Sequence, residues 1–549
     1  MGRAAAQSQS SPDGCSMSSP PANKASLVRN VQVTSSLGPG VFQVQSCHYR
    51  ESLGHPFQFD LELLSDDTAI DIDALLGRPL TVKVRDAQGG DRFFSGLVRT
   101  VEQGGEADQV GLYRVAVAPW IALLQLGADC RIFQDKNALE IVGKVFADCG
   151  FSDFDAAALM GRYDPLPYRV QYNESHFDFV HRVLQAVGIY YYHRHGDGTH
   201  TLVLCDAPSG HKPFPGHARI PFRTQRSNAL VEEHIHALRV RQEMQSGGYA
   251  TKDYDATAPA ADLTASDTAS HSYPSGSLER FEYPGGFGGK DNRNAIATSR
   301  LAESACRSLE ASGSAYSWGL SVGSVFSLDH FPRRDRNGPY LTTSIDLRIE
   351  RFAADESVSG AGARPPRGFT FRCDFTAIPA AVQFRPKRTI KRPVIAGVQT
   401  AVVVVPTGYE PRTPYTDSVA SARVQFHWDR AGNHDEKSSC WLRCSQPSAG
   451  SGWGSIFLPL AGNEVVVAFL NGDPDRPIIV GNVYNAANLP PRTLPDDPLK
   501  TIVQDVAGNF VALDSKEDSE WAMMYSPKDE SRLKLGELED NASDRPFGV

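Results

Sequence analysis

Short extended runs with a two-residue apolar period constrain this chain more than any other feature. In FQFDLELL, Phe57, Phe59, Leu61 and Leu63 fall on one face of a strand. VQVTSS, VFQVQSCHYR, LTVKVRD, FFSGLVRTVEQ and YRVAVAP read as further strands between Val28 and about Val117, divided by Gly and Asp turns. Antiparallel strands this short imply a barrel or a sandwich. The 47 Gly and 36 Pro fit the many turns such a fold needs. At 549 residues the chain is too long for one core, and ordinary domain sizes divide it into about three or four.

Two helices interrupt the strands. QDKNALEIVGKVFADCG sets Leu139, Val142, Val145 and Phe146 at helical spacing and stops at Gly150. NESHFDFVHRVLQAVG opens on Ser175 and Asp178, an approximate capping box, and carries a stripe of Phe179, Val180, Val183, Leu184 and Val187 before Gly188. IYYYHRH follows as a strand. Gly247 to Gly289 is rich in Ala, Ser and Gly, with few large apolar residues, and reads as a long surface excursion. A third helix is expected over roughly Asn294 to Ser312, then more strands through about Phe384.

A Pro- and Arg-rich join, Arg385 to Pro393, leads into a compact β segment. Strands are expected near Gly397–Val405, Arg423–Trp428, Cys440–Ser445, Ser455–Pro459, Glu464–Leu470 and Pro477–Val483. That is the complement of a small Greek-key barrel of the oligonucleotide/oligosaccharide-binding (OB) type. Beyond PPRTLPDDP, the pieces GNFVALD, EWAMMYS and RLKLG look like the first rungs of a repetitive β structure.

Composition excludes several classes. With 41% hydrophobic and 22% charged residues, the chain reads as globular and soluble. A net charge of −9 offers no electrostatic footprint for nucleic acid. The densest basic run, PKRTIKRP from Pro386 to Pro393, reads as a solvated linker. Nine Cys, an odd number at irregular spacing, argue against a disulfide framework and for a reducing compartment. MGRAAAQSQSSPDGCSM has no apolar core for a secretory signal, and Ala6 stands where a myristoylation signal wants Ser or Thr. The longest apolar runs, such as Ala401 to Val405, are too short to span a bilayer. Export would need a route other than the general one.

Candidate chemistry is weak. GLSVG (Gly319 to Gly323) matches a nucleophile-elbow pattern, but the elbow needs a strand before Ser321 and a helix after it, and the sequence reads the other way round. GGFGGKD (Gly285 to Asp291) has Asp291 where a phosphate loop needs Ser or Thr. His234 with His236, His193 with His195 and His200, and His427 with His434 lack zinc signatures and read as exposed strand or hairpin histidines. Cys440 and Cys444 would stand about 13 Å apart along a strand, too far to share an ion. No catalytic residue, metal site or cofactor is expected. In FLNGDPDRPIIVGNVYN, residues Gly472, Asp473, Pro474, Asp475, Arg476 and Pro477 read as a stiff hairpin turn, its prolines fixing φ and Arg476 neutralising the acids locally.

VQFHWDRAGNHDEKSSCWLRCSQPSAGSGWGSIFLPLAGNEVVVAFLNGDPDRPIIVGNVYNAANLPP resembles the barrel core of VgrG, the spike protein family of type VI secretion systems. QYNESHFDFVHRVLQAVGIYYYHRH, RIFQDKNALEIVGKVFADCG and FSLDHFPRRDRNGPYLTTSI resemble segments of that family's hub. TDSVASARVQF (Thr416 to Phe426) departs from it, lacking the family's acidic-aromatic-Gly turn. The resemblance implies a non-enzymatic homotrimer, similar to a fusion of contractile-phage tail hub and spike. Each chain would supply two hub barrels, one small barrel and a share of a triple-stranded β-helix needle. The implied partners are the Hcp tube ring, baseplate proteins, and a PAAR-repeat tip with effectors. The implied path is assembly in the bacterial cytoplasm, then delivery out of the cell by the machine itself, with transient membrane contact on firing.

The expected class is therefore mainly β with a few helices (α+β). The expected division is a disordered tail over 1–25, a tail-hub-like region over 26–385, a linker over 386–396, an OB-type barrel over 397–490, and a neck with the first needle rungs over 491–549. Three rungs before Val549 fall short of a full needle, so tip binding through this C-terminus is not expected. Two alternatives stand beside the reading. One is a hub of a contractile phage or prophage tail. The other is glycan or single-stranded nucleic-acid binding by the barrel, which would use Trp428, Trp441 and Trp453 as stacking platforms.

Overall fold

The structure, a computed structural model, describes residues 30–85, 90–107, 110–224, 233–286, 293–352 and 368–536. The alternation of the first strands decides their burial: Phe59, Leu61 and Leu63 of Gln58–Ser65 point into one core with Tyr49, Phe94 and Tyr113. Asn30–Ser35, Pro79–Arg85, Asp91–Ala107, Val110–Ala118, Gln58–Ser65 and Gln43–Ser52 follow one another antiparallel. The ladder continues through Gly338–Phe352, Gly368–Pro379, Leu309–Tyr316 and His234–Gln242, giving one 13-stranded sheet. The strands expected of the hub thus belong to one continuous sheet.

Both expected helices form, packing on each other and on a separate two-stranded sheet of Ala128–Lys136 and Leu166–Ser175. Ala138–Asp148 is capped by Asn137, which accepts from the Glu140 amide at 3.0 Å while the Glu140 carboxylate accepts from the Asn137 amide at 2.7 Å. His176–Ala186 begins on Ser175, whose hydroxyl accepts from the Asp178 amide at 3.0 Å and donates to its carboxylate at 2.8 Å. Their apolar stripes meet in a second core of Ile141, Val145, Phe146, Phe179, Val180 and Leu184.

Two expectations fail here. The third helix covers only Arg293–Ala305, because Leu309–Tyr316 is recruited between two strands of the large sheet. Over its described residues, Gly247 to Gly286, the stretch expected to be a loose excursion is not one. Gly248–Lys252, Thr264–Thr268 and Glu279–Glu282 form a three-stranded sheet whose Tyr249 and Ala265 pack on Ala297 and Leu301 of that helix. A core built from small residues leaves little trace in hydropathy.

Gln399–Val404, Ser421–Phe426, Leu442–Arg443, Glu464–Phe469 and Pro477–Val483 form the small barrel, closed by a bridge between Cys444 and Ile479. Its core is Ala401, Val403, Val424, Phe426, Val465 and Val467. The strand expected at Ser455–Pro459 is absent, and a two-stranded hairpin of Ala449–Gly450 and Trp453–Gly454 stands before it instead. Beyond the barrel, Lys500–Gln504, Phe510–Asp514, Trp521–Ser526 and Ser531–Gly536 form a four-stranded antiparallel meander. The tail expected over 1–25 and most of GGFGGKD lie outside the described residues. Among the described residues no helix is long and apolar enough to cross a membrane.

Candidate functional site

The GDPDRP segment is the turn between the last two barrel strands, and its backbone is closed by its own hydrogen bonds. Leu470 donates to the Arg476 carbonyl at 2.9 Å, and Arg476 donates to that of Asp473 at 2.9 Å. Gly472 sits at φ +71°, where a Cβ would stand 2.6 Å from the Val394 side chain, so only glycine fits without rearrangement. Its carbonyl accepts from the Ile395 amide at 2.8 Å, tying the turn to the incoming linker.

The charges of this turn do not neutralise one another, contrary to the sequence reading. Each is spent on a different part of the chain. Asp475 accepts from the Arg169 guanidinium and from the Val170 amide, both at 2.7 Å. Arg169 and Asp475 are nearly buried, at 9% and 12% side-chain exposure. Burial pushes the Arg169 guanidinium below its ordinary pKa, and Asp475 acts in the opposite sense. Asp473 pairs with Arg392 of the linker. Arg476 pairs with Asp253 at the edge of the three-stranded insert, and Asp253 also accepts from the Gly286 amide at 2.8 Å.

The hub side of this junction is equally constrained. Arg169 and Val170 lie on Leu166–Ser175, the strand that runs into helix His176–Ala186. Arg182 of the helix donates to the Val170 carbonyl at 2.9 Å and to Glu174 at 2.6 Å. Val170 is therefore held by the barrel through its amide and by the hub helix through its carbonyl. The linker is not simply solvated, either: Arg388 reaches Glu282 at 2.8 Å and Glu303 at 3.3 Å. Two further contacts cross the junction, Arg430 to Asp129 at 2.7 Å and Gln134 to the Lys437 carbonyl at 2.6 Å. With every charged group of the turn engaged inside the chain, this site is an interdomain clamp.

The other sequence candidates resolve separately. His193, His195 and His200 are not exposed strand histidines; they crowd around Phe57, with ring centroids at 4.8, 4.8 and 5.6 Å. His193 Nδ1 lies 3.0 Å from Glu51, and His195 Nε2 lies 2.9 Å from the Tyr49 hydroxyl, which donates to Glu51 at 2.8 Å. Burial drives the three histidines down to about 3 and raises Glu51 to about 7. His234 and His236 pack against Tyr316. Among the described residues no cluster of His, Cys, Asp or Glu could hold a metal ion. Ser321 of GLSVG has a strand before it, Leu309–Tyr316, but another strand, Val325–Asp329, after it where the elbow needs a helix. The three barrel tryptophans do not share a groove. Trp428 stacks on Phe426 at 4.9 Å, the Arg423 guanidinium covers Trp441, and Trp453 projects from the hairpin.

A curled hub sheet clamped to a closed injector-type barrel defines a structural hub-and-spike protein. Residues 50–352 match the family model of the phage tail baseplate hub (GPD), and residues 413–484 match that of the type VI secretion system/phage-baseplate injector OB domain. The chain is 35% identical over 92% of its length to the type VI secretion system spike protein VgrG1b of Pseudomonas aeruginosa, and spans 68% of it. With VgrG1c of the same organism it shares 38% identity over 85% of its length and spans 63% of that protein. Its fold is similar to that of the E. coli c3393 protein, a type VI secretion component described as structurally similar to T4 tail proteins gp27 and gp5. That likeness has a TM-score of 0.57 at 21% identity, covering 83% of this chain and 100% of that one. The chain belongs to the VgrG family of type VI secretion system spike proteins.

Proposed function

We propose that this chain works as a homotrimer that caps the Hcp tube, is surrounded by baseplate proteins, and helps deliver effectors toward a target membrane. One observation supports self-assembly most directly. In the C-terminal meander, Val503, Val511, Met524 and Leu533 lie in one cross-strand row, and Leu513, Ala522 and Leu535 lie in the next. All seven share one face, and the six larger side chains are 44–61% exposed. A single-layer sheet with an uncovered apolar face is not stable in water alone. Two further copies around a common axis would cover all three faces and leave no free strand edges.

On this reading residues 26–385 are the hub, 386–396 the linker, 397–490 the barrel, and 491–549 the neck and first needle rungs. The GDPDRP turn is then structural, and the chain's task is mechanical and non-enzymatic. Assembly would take place in the bacterial cytoplasm, with delivery by the machine itself. Light scattering on the purified chain tests the core of the proposal. A mass near three times 59.8 kDa supports it, and a clean monomer overturns self-assembly through this chain.

A further inference from the structure

The barrel carries a second uncharged surface, distinct from the meander. From Cys444 to Asn463 the sequence contains no Asp, Glu, Lys, Arg or His, within a chain that is 22% charged. Out of this stretch stands the hairpin in which Ala449 faces Gly454 and Gly450 faces Trp453. Trp453 and Ile456 are 69% exposed and Phe457 is 56% exposed. The backbone holds this display in place. The Trp453 ring lies so close over Gly450 that a Cβ there would overlap it. Below the hairpin, Ser455 donates to the Ser448 carbonyl at 2.9 Å. The Gln446 amide brackets Phe457, accepting from its N–H at 2.8 Å and donating to its carbonyl at 3.1 Å.

Three large apolar side chains within five residues, fixed on a hydrogen-bonded backbone, form a surface that calls for a cover. The pattern points to a second copy of this chain. Near a threefold axis, equivalent residues meet one another, so a charge there would face its own kind. Absence of charge is the property shared by this stretch and the exposed face of the meander. The chain between them carries charges, Arg492, Asp496 and Asp497 among them, but also exposes Val483, Tyr484, Leu489 and Leu499. We propose that the Trp453–Phe457 hairpin is an inter-protomer clasp, packing on the neighbouring barrel. The clasp rests on the homotrimer reading and gives it a surface that the meander alone does not supply.

The test reads mass and Trp453 burial on the same full-length sample. Light scattering gives the mass, and the emission of wild type minus Trp453→Phe isolates this tryptophan. In the trimer the difference spectrum is expected to be blue-shifted and shielded from iodide. A trimer whose difference spectrum stays red-shifted and freely quenched overturns the clasp while leaving the trimer intact. A monomer overturns the trimer and the clasp together. Shielding that appears only when another protein is added overturns a second copy as the occupant. As an independent arm, Ile456→Ser with Phe457→Ser is expected to raise the trimer dissociation constant by about tenfold or more. An unchanged constant overturns the proposal.

Discussion

Arg169 and Asp475 stand 306 residues apart in the chain and meet at 2.7 Å, nearly shielded from water. One lies on a hub strand and the other in a barrel turn, so the orientation of the barrel on the hub is written into a buried ion pair. Removing one partner of such a pair leaves an uncompensated charge, which costs about 3–5 kcal/mol. Asp475→Ala is therefore expected to destabilise the junction by about that amount and to expose the Val170 amide to solvent exchange. Arg169→Met together with Asp475→Leu should recover most of the loss. Hydrogen exchange at Val170 and denaturant titration of both variants check this. A single variant as stable as wild type would sink the clamp.

Gly472 makes a smaller, sharper prediction. Its φ of +71° and the Val394 side chain beside its missing Cβ make Gly472→Ala strained on two counts. The expected cost is about 1–3 kcal/mol, read as a lower unfolding midpoint of the barrel. A neutral substitution would mean that the turn relaxes freely and does not position Asp473 and Asp475.

The buried histidines give the hub an acid response with a definite sign. Their folded pKa values of about 3 lie below the ordinary 6.5, so they stay neutral in the fold and charge on unfolding. Each then removes about 1.4 kcal/mol of stability per pH unit as pH falls below 6.5. Glu51 works the other way. Its folded value of about 7 lies above 4.5, so its contribution is complete below pH 4.5 and is lost as pH rises toward 7. Between pH 6.5 and 4.5 it offsets one histidine, and below 4.5 the full slope appears. Charged Arg92 also faces this cluster. Acid unfolding should therefore steepen below about pH 4.5, and His200→Phe should lower the proton uptake by about one. A pH-independent stability between 4 and 6.5 would contradict the burial.

Period-two alternation made the hub strands legible, and caps at Asn137 and Ser175 with glycine stops made the two hub helices legible. The histidine burial is legible in the same alternation: Tyr191, His193 and His195 share the inward face of Tyr190–Gly196. The insert was hidden because its core is mostly small residues around Tyr249. The clamp was hidden for a different reason. A turn rich in Asp, Pro and Arg shows which residues carry charge, but partners 81 and 306 residues away are fixed only by how the hub, linker and barrel dock. Local neutralisation was the nearest explanation in sequence and the wrong one in space.

The meander carries the last prediction. Leu513 sits mid-row on its exposed face, opposite Ala522 and next to the row of Val511 and Met524. At 51% exposure it contributes little to the fold of a lone chain, so Leu513→Arg should leave the hub and barrel folded. In a trimer the same position would bring three arginines into an apolar interior, where unpaired charge costs several kcal/mol per ion. The expected outcome is a folded chain of about monomeric mass by light scattering, with its hub unfolding transition unchanged. A trimer that tolerates this charge would show that the face is not the one that meets its copies, and the covering of the meander would have to come from another partner.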